Sequence, residues 1–275
     1  MADVARVFDG DHLRADLVRR GGATLCVTFD YRRLGRAGFG TLSPSQQIAA
    51  AGHDQLMIAT RGNDWFINPD TLALEAVCRS LRASYGAARA LGFSMGGYGA
   101  FRFSRTLGLG HVMAVSPQVS IATDIVPFET RYRQEARLFD TALGDVTALH
   151  DPAVQGVILC DPLNLLDLTH AHMFQVLFPA VTLIRLPGGG HPCTQVLRAI
   201  GRTGLIQRLA LGEVAAAVAL QQAHRRARGH SPFYWTALGR AAAARRPDIA
   251  AAARHYAANL AADHTGGVDE DGDSA

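Results

Sequence analysis

The chain of 275 residues contains no lysine, so all 27 of its basic side chains are arginines. Against 24 acidic residues they leave a formal net charge of only +3. Abundant alanine, glycine and arginine without lysine is typical of a GC-rich coding bias. No cluster combines basic side chains with interleaved aromatic ones, the pattern that a nucleic-acid surface shows. We therefore expect no nucleic-acid partner.

Cysteine is also scarce, with four residues and no pair at the spacing of a metal site. Cys26 and Cys160 lie inside apolar runs that predict central strands. Buried, reduced thiols fit these positions better than disulfides do, which indicates a reducing compartment, and we expect the cytoplasm.

Two kinds of apolar segment are missing as well. The N-terminus has no apolar run of the kind found in secretory signals, and no run anywhere is long enough to span a bilayer. We expect no membrane span. What remains is a chain with 48% apolar residues, enough for one large α/β domain with a short appendage.

The most informative stretch is Gly-Phe-Ser-Met-Gly at residues 92–96, which has Gly-x-Ser-x-Gly spacing. Residues 87–92 favour a short buried strand, and residues 98–107 favour a helix with one apolar face. Strand, sharp turn and helix expose the Ser94 hydroxyl, and the N–H of Met95 then points to where an oxyanion would form. The alternative is a glycine-rich turn around a buried serine.

At this motif the chain resembles the α/β-hydrolase superfamily, and the resemblance extends over residues 24–191 and a helix beyond. It implies a mostly parallel central sheet flanked by helices, with catalytic groups at the carboxyl ends of the strands. It also implies a serine nucleophile at Ser94, an acyl-enzyme intermediate and no cofactor.

Apolar segments alternate with helical ones along the chain, a pattern typical of parallel strands covered on both faces. Residues 1–22 hold two short alternating stretches that predict paired edge strands. Central strands are predicted at residues 23–29, 54–60, 87–92, 111–117, 156–160 and 180–186.

His191 is the candidate general base, because it follows the last predicted strand on a triple glycine at residues 188–190. An alcohol is a poor nucleophile at neutral pH and needs a base whose tautomer is fixed by a partner. The resembled family places its histidine at this point of the chain. The alternative is a loop histidine that caps the next helix, predicted at residues 194–211.

The residue that orients this base is less clearly marked. The expected chain order is serine, acid, histidine, and several polar residues follow the penultimate strand. Alignment with the family's strand-Gly-x-x-Asp pattern puts Asn164 at the acid position, a departure from a standard triad. We rank Asp161 first, Asn164 second and Asp167 third, although Asp161 also precedes a proline and can simply form a turn. Asp124, after an earlier strand, is an outside candidate.

Two backbone amides are candidates for the oxyanion hole. One is Met95, and the other is Tyr31, in the loop where the family supplies its second donor. Asp30 either belongs to this site or only turns the loop. Trp65 and Phe93 are the candidate substrate-binding side chains, and packing over the sheet edge is the alternative for Trp65.

No spacing of His, Cys, Asp or Glu predicts a metal site. His170 and His172 fall in a predicted helical stretch, and we interpret them as helix residues rather than ligands. Residues 118–152 carry scattered aromatics among charged residues. They predict one or two short helices, which we interpret as a small cap over the site.

We divide the chain into a hydrolase domain at 1–211, a helical extension at 212–264 and a disordered acidic tail at 265–275. Residues 235–239 read Trp-x-x-Leu-Gly and are followed by small alanines and by Tyr256, which resembles the helix pair of a single tetratricopeptide repeat. This pair is either a structural hairpin or a contact surface for a protein partner or a second copy of the chain.

The sequence therefore predicts an esterase-like serine hydrolase that cleaves an ester, thioester or related acyl bond of a small molecule through Ser94. With an alcohol as acceptor, the same site would act as an acyltransferase. Asn164 at the acid position keeps open a catalytically weak, hydrolase-like binding or scaffold protein. An amidase or peptidase would need a site for the leaving amine that the sequence does not reveal.

Overall fold

A computed structural model describes residues 3–148 and 150–265, with side chains as far as residue 262. Within these residues eight strands form one sheet, and from the third strand onward the strands alternate with helices. They are β1 (Asp3–Asp9), β2 (Leu13–Arg19), β3 (Thr24–Phe29), β4 (Asp54–Thr60), β5 (Ala87–Phe93), β6 (His111–Val115), β7 (Gln155–Cys160) and β8 (Val181–Arg185).

The strands lie in the order β1-β2-β4-β3-β5-β6-β7-β8. β1 pairs antiparallel with β2, and β2 pairs antiparallel with β4, whereas every other neighbouring pair is parallel. The two alternating N-terminal stretches thus pair at the edge, as predicted, and the apolar runs form the interior of the sheet. This mostly parallel sheet with flanking helices confirms the predicted α/β-hydrolase fold.

Helices cover both faces of the sheet, and each layer has its own core. On one face, α2 (Thr71–Arg82), α3 (Met95–Arg102) and α5 (Leu165–Leu177) bury apolar side chains such as Leu74, Phe101 and Phe174. On the other face lie α6 (Gln195–Ala199), α7 (Gly204–Ala210) and α8 (Ala215–Arg228). A short α1 (Gln46–Ala50) contacts α7.

The predicted single helix at residues 194–211 is two helices in the structure. α6 ends at Ala199 and α7 begins at Gly204. Between them Gly201 has a φ of +65°, a conformation that ends a helix because L side chains rarely adopt it.

The described residues of 118–152 form one helical turn, α4 (Arg133–Ala136), within a mostly irregular segment. The helix after Ser94, α3, forms hydrogen bonds with this segment at residues 143 and 144. Tyr98 Oη donates to Gly144 O at 2.6 Å, and Arg102 Nε donates to Leu143 O at 2.8 Å. The segment is thereby fixed to α3 by polar contacts that are shielded from water.

The C-terminal helices α9 (Pro232–Ala242) and α10 (Pro247–Thr265) pack against each other. Gly239 permits the close approach, since a Cβ there would lie 3.3 Å from Ala250 O. Of the predicted tail, Thr265 is the last residue of α10, and residues 266–275 lie outside the described part. The division into a hydrolase domain and an extension stays a prediction.

All four cysteine side chains are buried and unpaired, as the sequence indicated. Burial raises the pKa of each thiol, to about 11 for Cys26 and to about 12 for Cys78 and Cys160. In the described part of the chain, no helix combines the length and the apolarity needed to cross a membrane.

Candidate active site

Ser94 occupies the turn between β5 and α3 with φ 51° and ψ −117°, a conformation that is strained for a residue with a side chain. The flanking glycines permit it. A Cβ on Gly92 would lie 2.0 Å from Gly96 O, and a Cβ on Gly96 would lie 2.6 Å from Asp30 O. The turn is therefore sharp because two positions tolerate only glycine.

His191 contacts the serine from the loop that follows β8. Its Nε2 lies 2.8 Å from Ser94 Oγ. Gly188 and Gly190 adopt φ of +73° and +76°, which lets the loop turn back over the carboxyl end of β5. About a fifth of the His191 side chain is exposed, so a small molecule can reach it.

Asp167 is the carboxylate that lies against the imidazole, with Oδ2 2.7 Å from His191 Nδ1. The Asp167 carboxylate is fully buried at the third position of α5. The Asp167 N–H donates to the side chain of the N-cap residue Asn164 at 3.4 Å. The third-ranked candidate thus holds the orienting position, and Asn164 supports it by starting the helix.

Asp161 has a different set of partners from the one expected of it. Its Oδ1 accepts the N–H groups of Leu163 and Gly188, and its Oδ2 accepts the N–H of Gly190, the two glycine bonds being 3.0 Å long. The carboxylate thus fixes the loop before His191 instead of contacting Nδ1. Asp124 is exposed, away from this contact.

A chain of charged groups continues behind Asp167. Arg131 Nη1 donates to Asp167 Oδ1 at 2.7 Å, and the same guanidinium forms bonds of 2.6–3.2 Å with the Glu129 carboxylate. His170 Nδ1 accepts the Val119 N–H, so its Nε2–H donates to Glu129 Oε2 at 3.0 Å. Both carboxylates are completely buried.

The pKa values of this chain follow from burial and charge. Burial alone would raise the pKa of Asp167, but the bonds and charges of His191 and Arg131 outweigh it and hold the pKa below its ordinary value. Glu129 is likewise buried, yet His170 and Arg131 lower its pKa to about 2. Burial lowers the pKa of His170 despite Glu129, so His170 is neutral at pH 7.

Tyr132 approaches the same histidine from the other side. Its Oη lies 3.1 Å from His191 Nε2. Trp65 packs against the phenol ring with centroids 4.7 Å apart, and Arg32 and Arg131 lie over the ring at 5.5 and 5.1 Å. Burial raises the pKa of Tyr132, so the phenol carries its proton at neutral pH.

Gln118 gives Ser94 a second polar neighbour. Its Oε1 accepts the Trp65 Nε1–H at 3.3 Å and lies 3.4 Å from Ser94 Oγ, while its Nε2 donates to Ser116 O at 2.9 Å. The indole and the carbonyl together fix which end of the amide faces the serine.

The two oxyanion candidates differ in the structure. Met95 begins α3, and among the described residues no protein acceptor takes its N–H, which leaves the group free for a ligand. The Tyr31 N–H instead donates to Asp30 Oδ1 at 2.8 Å. Asp30 is buried between Arg33 and Arg36, so this loop is fixed with its amide occupied.

The two predicted substrate-binding aromatics lie on opposite faces of the sheet. Trp65 is fully buried in the main core, where it contacts Tyr132 and Gln118. Phe93 packs against the second core and, with Tyr31, lines a cavity of about 590 Å³ beside residues 42–48, which include the start of α1. Trp65 thus shapes the surroundings of Ser94, whereas Phe93 borders a separate space.

Within the described residues, no group of three His, Cys, Asp or Glu side chains is arranged to hold a metal ion. His170 is engaged with Glu129, and His172 is exposed on α5 near Arg185. The groups that can take part in a reaction here are the hydroxyls, the imidazole and the carboxylates around Ser94.

Comparison with known proteins supports the fold. A capsule O-acetyltransferase from Neisseria meningitidis serogroup A aligns with a TM-score of 0.50 and 13% identity over 73% of this chain and 93% of its own. A variant of that enzyme, solved with CoA, aligns with a TM-score of 0.50 and 15% identity over 72% of this chain and 93% of its own. The chain has the fold of these proteins.

Two further solved structures align less closely. An esterase from Pyrococcus furiosus has a TM-score of 0.47 and 15% identity over 76% of this chain and 90% of its own. MGS-M1, an α/β-hydrolase enzyme from a deep-sea metagenome library, has a TM-score of 0.45 and 12% identity over 70% of this chain and 88% of its own. No model of a protein family matches the chain, and no curated protein matches it in sequence.

Four residues of the site were not identified from the sequence: Gln118, Glu129, Arg131 and Tyr132. All four lie in the irregular segment at 118–152, whose role was assigned only as a cap. One signal was available, since Glu-Thr-Arg-Tyr at 129–132 is a charged run with an aromatic end inside a segment assigned to the site. Its contacts with Asp167 and His191 span 36 and 59 residues of the chain, beyond what local patterns carry.

Proposed function

We propose that the protein is a serine hydrolase that transfers an acyl group from an ester or thioester through Ser94. The observation that supports this most directly is the unbroken chain from Ser94 Oγ to His191 and on to Asp167, with bonds of 2.8 and 2.7 Å. A hydroxyl, a base and a buried carboxylate in this order are what nucleophilic acyl transfer needs.

In the proposed reaction, Ser94 Oγ bonds to the acyl carbon while its proton moves to His191 Nε2. Asp167 keeps the other proton on Nδ1 and stabilises the imidazolium, which it can do because it remains ionised at neutral pH. The free N–H of Met95 donates to the oxyanion. The leaving alcohol or thiol takes the proton from Nε2, and the acceptor then repeats the sequence in reverse.

The identity of the acceptor separates the two forms of this proposal. Water gives an esterase or thioesterase, and an alcohol gives an acyltransferase. A thioester donor deserves testing because the capsule O-acetyltransferase with this fold was solved with CoA. No cofactor takes part in either form.

A catalytically weak, hydrolase-like scaffold was the rival interpretation, and it depended on Asn164 at the acid position and on the repeat-like C-terminal helices. The first support is weaker now, because Asp167 lies against His191 Nδ1 and Asn164 caps the helix beneath it. An amidase or peptidase remains without a specific observation in its favour.

The test is labelling with a fluorophosphonate, followed by peptide mass spectrometry to locate the modified residue. We expect rapid modification of Ser94 that requires His191 and that is abolished in Ser94→Ala. Hydrolysis of p-nitrophenyl acetate by the same samples should follow the labelling. Ser104→Ala is the matched control, since Ser104 is a fully buried serine just beyond α3 whose hydroxyl has no partner.

A folded wild-type protein that is not labelled would contradict the proposal, and so would labelling that persists in His191→Ala at the wild-type rate. Activity in Ser94→Ala equal to that of the wild type would exclude this serine as the nucleophile.

For the C-terminal helices we propose a protein contact, on the basis of the tetratricopeptide-like pattern and of Phe233 and Tyr256, each about half exposed. Light scattering of the full chain against a Phe233→Ser variant tests whether the partner is a second copy. We also propose that the protein works in a reducing, cytoplasmic environment, because its cysteines are unpaired.

A further inference from the structure

The Tyr132 hydroxyl occupies the position beside His191 Nε2 that the oxygen of an acyl acceptor has to take. A water or an alcohol that attacks an acyl-enzyme gives its proton to His191 Nε2, and for that its oxygen must come within about 2.6–3.2 Å of this nitrogen. Tyr132 Oη already lies 3.1 Å from Nε2.

His191 has one lone pair to offer at this nitrogen. The Nδ1–H is donated to Asp167, so Nε2 of the neutral ring is the acceptor, and two hydroxyls compete for it. In the acyl-enzyme the Ser94 oxygen carries the acyl group and has no proton to donate. Tyr132 is then the protein group left to donate to Nε2.

The phenol cannot easily move away. Its residue is only 5% exposed, and the ring lies between Trp65 and the guanidinium groups of Arg32 and Arg131. Both arginines are themselves fixed by ion pairs, Arg32 with Glu135 and Arg131 with Glu129. An acceptor must therefore displace the Tyr132 hydrogen bond without displacing the ring.

We propose, on the basis of the function proposed above, that the Tyr132 hydroxyl holds the acceptor position on His191 Nε2 and so sets the ratio of acyl transfer to hydrolysis. A single water has no other contacts to offset the displaced hydrogen bond. An alcohol that also contacts the site through the rest of its surface has contacts that offset this loss. Tyr132 thus discriminates against water and in favour of a larger hydroxyl compound.

The deacylation step balances in this scheme. The acceptor ROH forms an RO–C bond with the acyl carbon as its proton passes to Nε2. The bond between that carbon and Ser94 Oγ breaks, and Nε2 returns the proton to Oγ. Tyr132 keeps its own proton throughout, which its raised pKa favours.

The experiment compares wild type with Tyr132→Phe, using p-nitrophenyl acetate as donor and glycerol or n-butanol as acceptor. The p-nitrophenol burst gives the acylation rate, and chromatography of free acetate and acetyl ester gives the partition. We expect acylation within about threefold of wild type and a transfer-to-hydrolysis ratio about five- to tenfold lower, the effect of one hydrogen bond.

Tyr98→Phe is the matched control. It also removes one buried phenol hydroxyl, but that hydroxyl donates to Gly144 O, and the ratio should stay at the wild-type value. A ratio unchanged in Tyr132→Phe overturns the inference, and so does a tenfold loss of acylation without a change in the ratio. A wild type that forms no acyl-enzyme in intact mass spectra would instead contradict the proposed function itself.

Discussion

Arg131 Nη1 donates a 2.7 Å hydrogen bond to the Asp167 oxygen that faces away from the imidazole. The carboxylate is therefore held from two sides, by a guanidinium on one oxygen and by His191 Nδ1 on the other. A cation at this place holds the carboxylate in position, and it also offsets part of the negative charge that would otherwise act on the imidazolium.

This relationship predicts a loss of activity in Arg131→Met. Without the guanidinium, the buried Asp167 carboxylate loses one of the two partners that hold it in position and keep its pKa below the ordinary value. The kcat for p-nitrophenyl acetate should fall by about ten- to hundredfold, the effect of one hydrogen bond to a charged group. Arg32→Met is the control, because Arg32 also lies over the Tyr132 ring but pairs with Glu135, and its kcat should stay close to the wild-type value.

The second prediction separates the two aspartates that follow β7. Asp167→Asn should lower kcat by about 10³–10⁴, because an amide neither fixes the tautomer nor stabilises the imidazolium. Asp161→Asn should lower kcat by less than about tenfold but reduce the free energy of unfolding by about 1–3 kcal/mol, since the loop N–H groups lose an acceptor. Equal losses of kcat in the two variants would contradict this assignment.

The third prediction concerns acid stability. The pKa of Glu129 lies at about 2 in the folded protein against an ordinary 4.5, so its contribution is fully present above about pH 4.5 and is lost as the pH falls toward 2. The lowered pKa of Asp167 acts with the same sign. Denaturant titrations between pH 5 and 2 should show a loss of about 3 kcal/mol from Glu129.

Glu129→Gln should be less stable than wild type at pH 7 and should lose less stability over that interval. Asp124→Asn is the control, because that carboxylate is exposed and makes none of the contacts of Glu129, so its removal should leave the slope unchanged. A Glu129→Gln protein with the wild-type slope would show that this carboxylate is not the group responsible.

The fourth prediction concerns the strained turn. Ser94 has φ 51°, a conformation that glycine adopts freely and alanine does not. The free energy of unfolding of Ser94→Gly should therefore exceed that of Ser94→Ala by about 1 kcal/mol, once the entropic cost of glycine is included. At Ser104, whose φ is not positive, the order should reverse, with Ser104→Ala the more stable. Thermal unfolding of the four variants measures both differences.

Much of the fold could be predicted because the signals are local. Continuous apolar runs such as residues 54–60 mark strands covered on both faces, and β4 has these same bounds. The break between α6 and α7 was not predicted, because Ile200-Gly201-Arg202 interrupts a pattern that is apolar on both sides. A glycine within a helical pattern is often tolerated, so it marks an end only when its φ is known.

Ser94 and His191, the proposed nucleophile and base, were selected from the sequence, but Asp167, which lies against His191 Nδ1, was ranked third. Counting from the end of β7 selected Asp161 and Asn164, whereas the structure begins a helix at Leu165 and presents its third residue to His191. Asn164-Leu-Leu-Asp167 is itself a helix-start pattern, with an N-cap and an acid in the first turn. Reading it as a cap would have moved Asp167 up the ranking.

The segment at 118–152 is fixed at two places, and this decides how substrates reach the site. Glu129, Arg131 and Tyr132 connect it to the groups around His191, and Tyr98 and Arg102 connect it to α3. A lid that swings open at a lipid surface would have to break both sets of contacts. Turnover should accordingly rise smoothly with monomeric ester and show no jump when the ester begins to form micelles.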